Sequence, residues 1–173
     1  RVLVAVNGNR LNDPVYDGGT VGRELPLDID LIERIEFIPG PGGAVYGQNA
    51  MFGVVNVITR SGMEMNGAEL SAAYEDPQDA VEGRAAWGKR LTNGLDILVS
   101  ASGLKASGED LFFDYGASGV SGKAAGLDGE SDQQYFARLA RGAWSADFMI
   151  GKRHKDDPTA SFFADPLASG NFG

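Results

Sequence analysis

Apolar and polar positions alternate along this chain in two different ways, and the change falls near residue 62. Before it, apolar residues come in short blocks. Val2–Val6 is an apolar run closed by Asn7-Gly8, the form of a buried strand ending in a tight turn. Arg34–Ile38 and Val54–Ile58 are two further short strand candidates, separated by Gly40, Gly42, Gly43, Gly47 and Gly53. Glycines this dense imply backbone at positive φ or in close approach to another surface. Between them, Ala44–Tyr46 and Asn49–Met51 have room for one helical turn each. Asn9–Arg23 gathers Asn12, Asp13, Pro14, Asp17, Gly18 and Gly19 and reads as an exposed loop. Leu25–Leu31 places Pro26 ahead of Asp28 and Asp30, which suits a short helix feeding the strand at Arg34. The first 62 residues therefore make a small α+β unit, too small to hold an independent core.

After Gly62 the period becomes two and stays there. Ala68–Glu75 sets Ala68, Leu70, Ala72 and Tyr74 against Glu69, Ser71, Ala73 and Glu75. Val81–Arg90 sets Val81, Gly83, Ala85 and Trp87 against Glu82, Arg84, Gly88 and Arg90. Leu95–Lys105 sets Leu95, Ile97, Val99 and Ala101 against Asp96, Ser100 and Ser102. Gln134–Arg141 sets Tyr135, Ala137 and Leu139 against Gln134 and Arg138, and Trp144–Lys152 sets Trp144, Ala146, Phe148 and Ile150 against Ser145, Asp147 and Gly151. Segments of about 8–11 residues with one apolar face fit strands that cross a membrane. A soluble antiparallel sheet with one wet face gives the same alternation. Two features favour the membrane. Thr92-Asn93-Gly94 and Arg141-Gly142-Ala143 are tight turns, whereas Ser107–Asp132 and the stretch from His154 are long. Trp87 and Trp144 both fall near the short-turn rim, where an aromatic girdle would lie.

Composition narrows the partners. The net charge of −9 argues against nucleic acid. Residues 1–62 carry −2 of it and residues 63–173 carry −7, which supports a boundary near Arg60–Met65. There is no cysteine, so neither a disulfide framework nor a thiolate metal site is available. No apolar run is long enough for a transmembrane helix. The sequence opens inside a strand pattern without a signal peptide, the expectation for an internal piece of a longer protein.

Ile32–Arg60 carries a specific resemblance. The stretch I-E-R-I-E-F-I-P-G-P-G-G-A-V-Y-G-Q-N-A-M-F-G-V-V-N-V-I-T-R resembles the C-terminal half of the plug domain of TonB-dependent outer-membrane receptors. The family pattern runs I-E-R-I-E-V-I-R-G-P, S-A-L-Y-G, then A-x-G-G-V-I-N-I-I-T. Arg34, Glu36, Gly40, Pro41, Tyr46, Gly47, Gly53 and Asn56 stand at its motif positions. Pro39 stands where the family usually has arginine, and Gly43 where it usually has serine. The family arginine pairs with barrel carboxylates and helps to hold the plug; Pro39 cannot. Asn7 replaces the usual aspartate of a V-L-V-x-I-D-G-x-R-L-N-D stretch.

The resemblance implies a mainly β fold. Residues 1–62 would be the later part of a plug, and residues 63–173 the first five or so antiparallel up-and-down strands of a transmembrane barrel of about 22 strands. It implies a non-enzymatic receptor in the outer membrane of a Gram-negative bacterium. Such a receptor binds a scarce ligand such as a ferric siderophore and imports it with energy from TonB, which grips a part of the chain not present here. Outer-membrane lipid, TonB and a small-molecule ligand are the implied partners; no cofactor or nucleic acid is. Candidate ligand contacts are Asn12, Asp13, Tyr16 and Asp17 in the first loop and Phe112, Phe113 and Tyr115 in the long one. A soluble envelope binding or scaffold module built from a plug and an open sheet is the alternative. An envelope enzyme lacks a catalytic set.

Other clusters read as structural. Gly40-Pro41-Gly42-Gly43 lacks the Lys-Ser/Thr of a phosphate loop. His154, the single histidine, sits among Lys152, Arg153 and Lys155 and reads as a solvated strand end, with no metal implied. The acids Glu109, Asp110, Asp114, Asp128, Glu130 and Asp132 read as loop solubility before cation binding. Five strands cannot close a barrel, so the isolated 173-residue chain is not expected to insert alone.

Overall fold

A computed structural model describes residues 2–12, 18–19, 22–40, 50, 52–114, 116 and 119–157. The helical turns expected at Ala44–Tyr46 and Asn49–Met51 lie outside those residues, Ala50 aside. The first sheet has the strand order β2-β1-β4-β3, with β1 Val2–Val6, β2 Asn9–Arg10, β3 Ile32–Pro39 and β4 Gly53–Thr59. Asn7 and Gly8 close the β1–β2 hairpin with φ of 51 and 82. That left-handed pair is what a two-residue hairpin turn requires, and Asn-Gly supplies it with little strain. β1 runs parallel to β4, from Val2↔Gly53 to Val6↔Val57, and β3 runs antiparallel to β4.

The two central strands are mostly apolar, Asn56 and Thr59 of β4 aside, because both their faces are largely covered. Leu3, Ala5, Val6 and Val54 are buried almost completely, and Leu3, Ala50 and Val54 pack together with Ile38 against them. The edge strand β3 is open, with Ile35 and Phe37 exposed. Leu25–Leu31, expected to be a short helix, instead forms one 3-10 turn at Ile29–Leu31, and a second 3-10 turn, Gly22–Glu24, precedes it. Asp28 caps the second turn by accepting from the Asp30 N–H at 2.9 Å. The turn cannot propagate because β-branched Ile32 is already extended and starts β3.

Ser61 then caps α1, a single helical turn at Gly62–Met65, in a reciprocal capping box with Glu64. Asn66 ends it at φ 42. The second sheet follows with order β11-β10-β7-β6-β5: β5 Gly67–Glu75, β6 Ala80–Arg90, β7 Asp96–Ala106, β10 Glu130–Arg141 and β11 Trp144–Lys155. Each coincides with a sequence-expected strand to within a few residues. The fold is mainly β, with antiparallel pairing apart from the parallel β1–β4 pair, and the barrel is not closed.

Its alternation is the reverse of a soluble sheet. Leu70, Tyr74, Val81, Trp87, Val99, Tyr135, Leu139, Trp144, Phe148 and Ile150 are exposed, while Asp96, Ser100 and Asp132 are buried. Trp144 is 85% exposed. The sheet therefore turns large apolar side chains outward, and its other face buries Asp96, Ser100 and Asp132 beside Leu98, Leu104 and Phe136.

One element was not expected. Within the long stretch after β7, β8 Leu111–Asp114 and β9 Ser121–Ala124 form a separate antiparallel hairpin. The chain divides into two compact units. One comprises Arg1–Gly67, Trp87–Val99 and Phe136–Met149; the other comprises Ala68–Ala86, Ser100–Tyr135 and Ile150–Gly173.

Candidate functional site

The motif residues of the first sheet form a polar spine. Asn56, on β4, accepts the Gly8 N–H with its side-chain oxygen at 2.9 Å and donates to Glu36 at 3.4 Å. It thereby ties the hairpin turn to the edge strand, although it is itself buried. Arg34 forks between Glu33 and Glu36, at 2.8 and 2.9 Å, and these partners raise its pKa, Glu36 foremost. Gly40 has φ 92 and donates to the Phe52 carbonyl. A Cβ on Gly53 would stand 3.0 Å from both the Ile38 carbonyl oxygen and the Phe37 ring. Pro41, Tyr46 and Gly47 lie outside the described residues.

Two carboxylates of the second sheet reach the first 66 residues. Asp96, on β7, is buried and accepts the N–H groups of Gly62 and Met63, at 2.6 and 3.0 Å. These are donors that a helix start leaves open. Arg90 stands 3.6 Å from the same carboxylate. The approach is close: a Cβ on Gly62 would lie 2.0 Å from the Ile97 carbonyl oxygen, and one on Gly88 would lie 2.9 Å from Gly62 Cα. Hydrogen bonds from Ser61, its backbone N–H foremost, hold the Glu64 carboxyl below the usual carboxylate range.

Asp147, on β11, is the second. Its side chain is 3% exposed. Arg138 Nη1, from β10, donates to its two oxygens at 2.7 and 3.0 Å. Asn9 Nδ2 and Asn7 Nδ2 donate to Oδ2 at 3.0 and 3.3 Å. Asn7 also binds the end of β4: its Oδ1 accepts the Thr59 N–H at 3.0 Å. An open cleft of about 400 Å3 lies alongside, bordered by Asn7, Gly8, Glu33, Asn56, Thr59 and Arg138 among others.

In the other unit, Asp128 is a hub. It accepts the Glu109 N–H at 3.2 Å and pairs with Lys155, whose Nζ also donates to its carbonyl. Gly108 has φ 77, and a Cβ there would meet the Asp128 carbonyl oxygen at 2.0 Å. The remaining loop acids are similarly engaged. Glu109 accepts from Gln78, Glu130 pairs with Arg153, and Asp132 accepts from Gln134. Asp114 accepts the Gly116 N–H. Lys123, and then the Gly126 N–H, lower the Asp110 pKa. Among the described residues no cluster of three or more acidic or histidine side chains is arranged to hold a metal ion. His154 pairs with Asp156 at a half-exposed strand end.

The candidate ligand contacts divide three ways. Phe112 is 72% exposed on β8, and Phe113 beside it is half-buried. Asn12 is buried, with its amide engaged by β1: Oδ1 accepts from Val4 at 2.7 Å and Nδ2 donates to the Val2 carbonyl. Asp13, Tyr16, Asp17 and Tyr115 lie outside the described residues. Sequence reasoning placed Asp96 and Asp147 on polar strand faces but missed their part in joining the sheets. Their partners lie 34 and up to 140 positions away, and the only signal was a charged residue recurring on an otherwise small, polar face.

Comparison with known proteins agrees with this architecture. Residues 1–54 match the family model of the TonB-dependent Receptor Plug Domain. The chain is 35% identical over 130 residues to the vitamin B12 transporter BtuB of Vibrio vulnificus, covering 66% of this chain. It spans 21% of that relative's length. Among solved structures it resembles a ferric enterobactin receptor mutant of Pseudomonas aeruginosa, with a TM-score of 0.50 at 23% identity. That match covers 89% of this chain and 25% of the other. The plug-domain match over residues 1–54 and these similarities support a fragment of a TonB-dependent receptor.

Proposed function

We propose that this chain is the plug-to-barrel segment of an outer-membrane receptor that takes up a scarce small metal chelate, a ferric siderophore or a relative of it, with energy delivered through TonB. In this reading residues 1–62 are the later part of the plug and residues 63–173 open the barrel wall. The observation that carries it is the second sheet, which exposes large apolar side chains such as Leu70, Trp144, Phe148 and Ile150 while burying Asp96, Ser100 and Asp132 on its other side. In water that arrangement is unfavourable, and in lipid it is the stable one. Similarity to a vitamin B12 transporter supports uptake of a small metal chelate. Phe112, Phe113 and Tyr115 of the long loop and Asp13, Tyr16 and Asp17 of the first loop are the proposed ligand contacts. Asn12 positions that plug loop by holding Val2 and Val4. The chemistry is binding and passage, with no covalent step.

The test is uptake by a Gram-negative host that lacks its own siderophore and cobalamin receptors, expressing the intact receptor with and without TonB. Growth on one chelate of a panel of ferric siderophores and cobalamin, lost without TonB, is the expected result. Growth on none of them, or recovery of the intact protein in the soluble fraction, would overturn the reading.

A further inference from the structure

Pro39 removes the arginine with which the family's plug grips barrel carboxylates, yet a wall carboxylate here is fully engaged. We propose that Asp147 is the positioning residue that seats the first sheet against the wall in place of that arginine. The neighbouring cleft is then where the seal parts. The inference rests on the receptor reading above.

The chemistry of the contact is asymmetric. Asp147 is neutralised by Arg138 of the adjacent wall strand, at 2.7 Å. From the first sheet the side-chain amides of Asn7 and Asn9 donate to it. When the first sheet withdraws, the Arg138–Asp147 pair stays whole and no buried charge is stranded. Separating a buried ion pair would strand one, at much greater cost. The seat is therefore firm, since two N–H groups meet a carboxylate, and reversible. It also accounts for Asn7. An aspartate there would bring a second carboxylate against Oδ2, and like charges at that range repel. Asn7 also holds Thr59, so movement of the hairpin turn is transmitted to β4. The cleft beside it is bordered by the same Asn7, Thr59 and Arg138, so withdrawal of the turn widens an opening already present.

The test uses the intact receptor carrying N7D, D147N or the exchange N7D/D147N. The leak of vancomycin into cells reports the seal, and chelate binding at the cell surface serves as the control. N7D should raise the leak about tenfold, equivalent to about 1.4 kcal/mol. The exchange restores one carboxylate and one amide beside Arg138 and should return the leak to within about twofold of the parent. Surface binding should be unchanged throughout. If N7D fails to assemble, recovery of assembly in the exchange is the same result. A leak unaltered by N7D, or an exchange no better than N7D, would overturn the inference. Loss of uptake of every chelate by the parent, with the leak pattern intact, would instead remove the receptor reading and leave the seat standing.

Discussion

The two sheets differ in what most of their large apolar side chains meet. In the first, Leu3, Val6 and Val54 are buried, and residues such as Arg34 and Glu36 take the surface. In the second, Leu70, Phe148 and Ile150 are at the surface, and Asp96, Ser100 and Asp132 are covered. Hydrophobic burial follows the solvent a face meets, not a fixed inside and outside. Reading which residues alternate is thus separate from reading what lies beyond each face. The polar side of the second sheet is where the first 66 residues attach, through Asp96 and Asp147.

Five substitutions would break or sharpen this contrast. The largest effect is expected from Leu3→Ala, which empties a fully buried site of the first sheet. It should cost about 2–5 kcal/mol in urea unfolding of the plug. Phe148→Arg should cost about 2–4 kcal/mol when the intact receptor is unfolded from phospholipid, because the charge meets lipid. The same change should be nearly silent for the sheet in water, and equal costs in both media would refute the outward-lipid assignment. Gly62→Ala should cost about 1–3 kcal/mol, since a Cβ would meet the Ile97 carbonyl at 2.0 Å and prise α1 from β7. Hydrogen exchange at the Gly62 and Met63 amides reports it directly.

The smallest effects concern the capping box. Ser61→Ala should lower plug stability by about 1 kcal/mol. Glu64 has a folded pKa below its unfolded value, so its contribution is fully present above the ordinary carboxylate range. It fades as pH falls through that lowered value. Urea midpoints of the parent should therefore drop on acidification more than those of Glu64→Gln.

Much of the fold was legible because period-two alternation is a local property. Val2–Val6 was read to the residue, and all five wall strands were found with the correct face outward. The β8–β9 hairpin was not, because Ser121–Ala124 offers neither β-branched residues nor alternation; it is a strand only through its pairing with Leu111–Asp114. The short helix read over Leu25–Leu31 failed for a different reason: its Pro and Asp signals were real, but Asp28 caps a turn cut short by the strand at Ile32. The exposed aromatic on the loop, Phe112, was visible as a cluster with Phe113. The use of Asn12 as a strap on β1 was not, since an amide in a polar loop gives no sign of which way it turns. Asp147 and Asp96 were legible as faces and illegible as partners.

Asp96 has a mechanical consequence. One buried carboxylate holds two consecutive amides of α1, and the close-packed glycines beneath leave that turn no room to slide. Tension applied from the amino-terminal end would unravel sequence only as far as Ser61. The material drawn out would remain moored to the wall, ready to be wound back into the same opening.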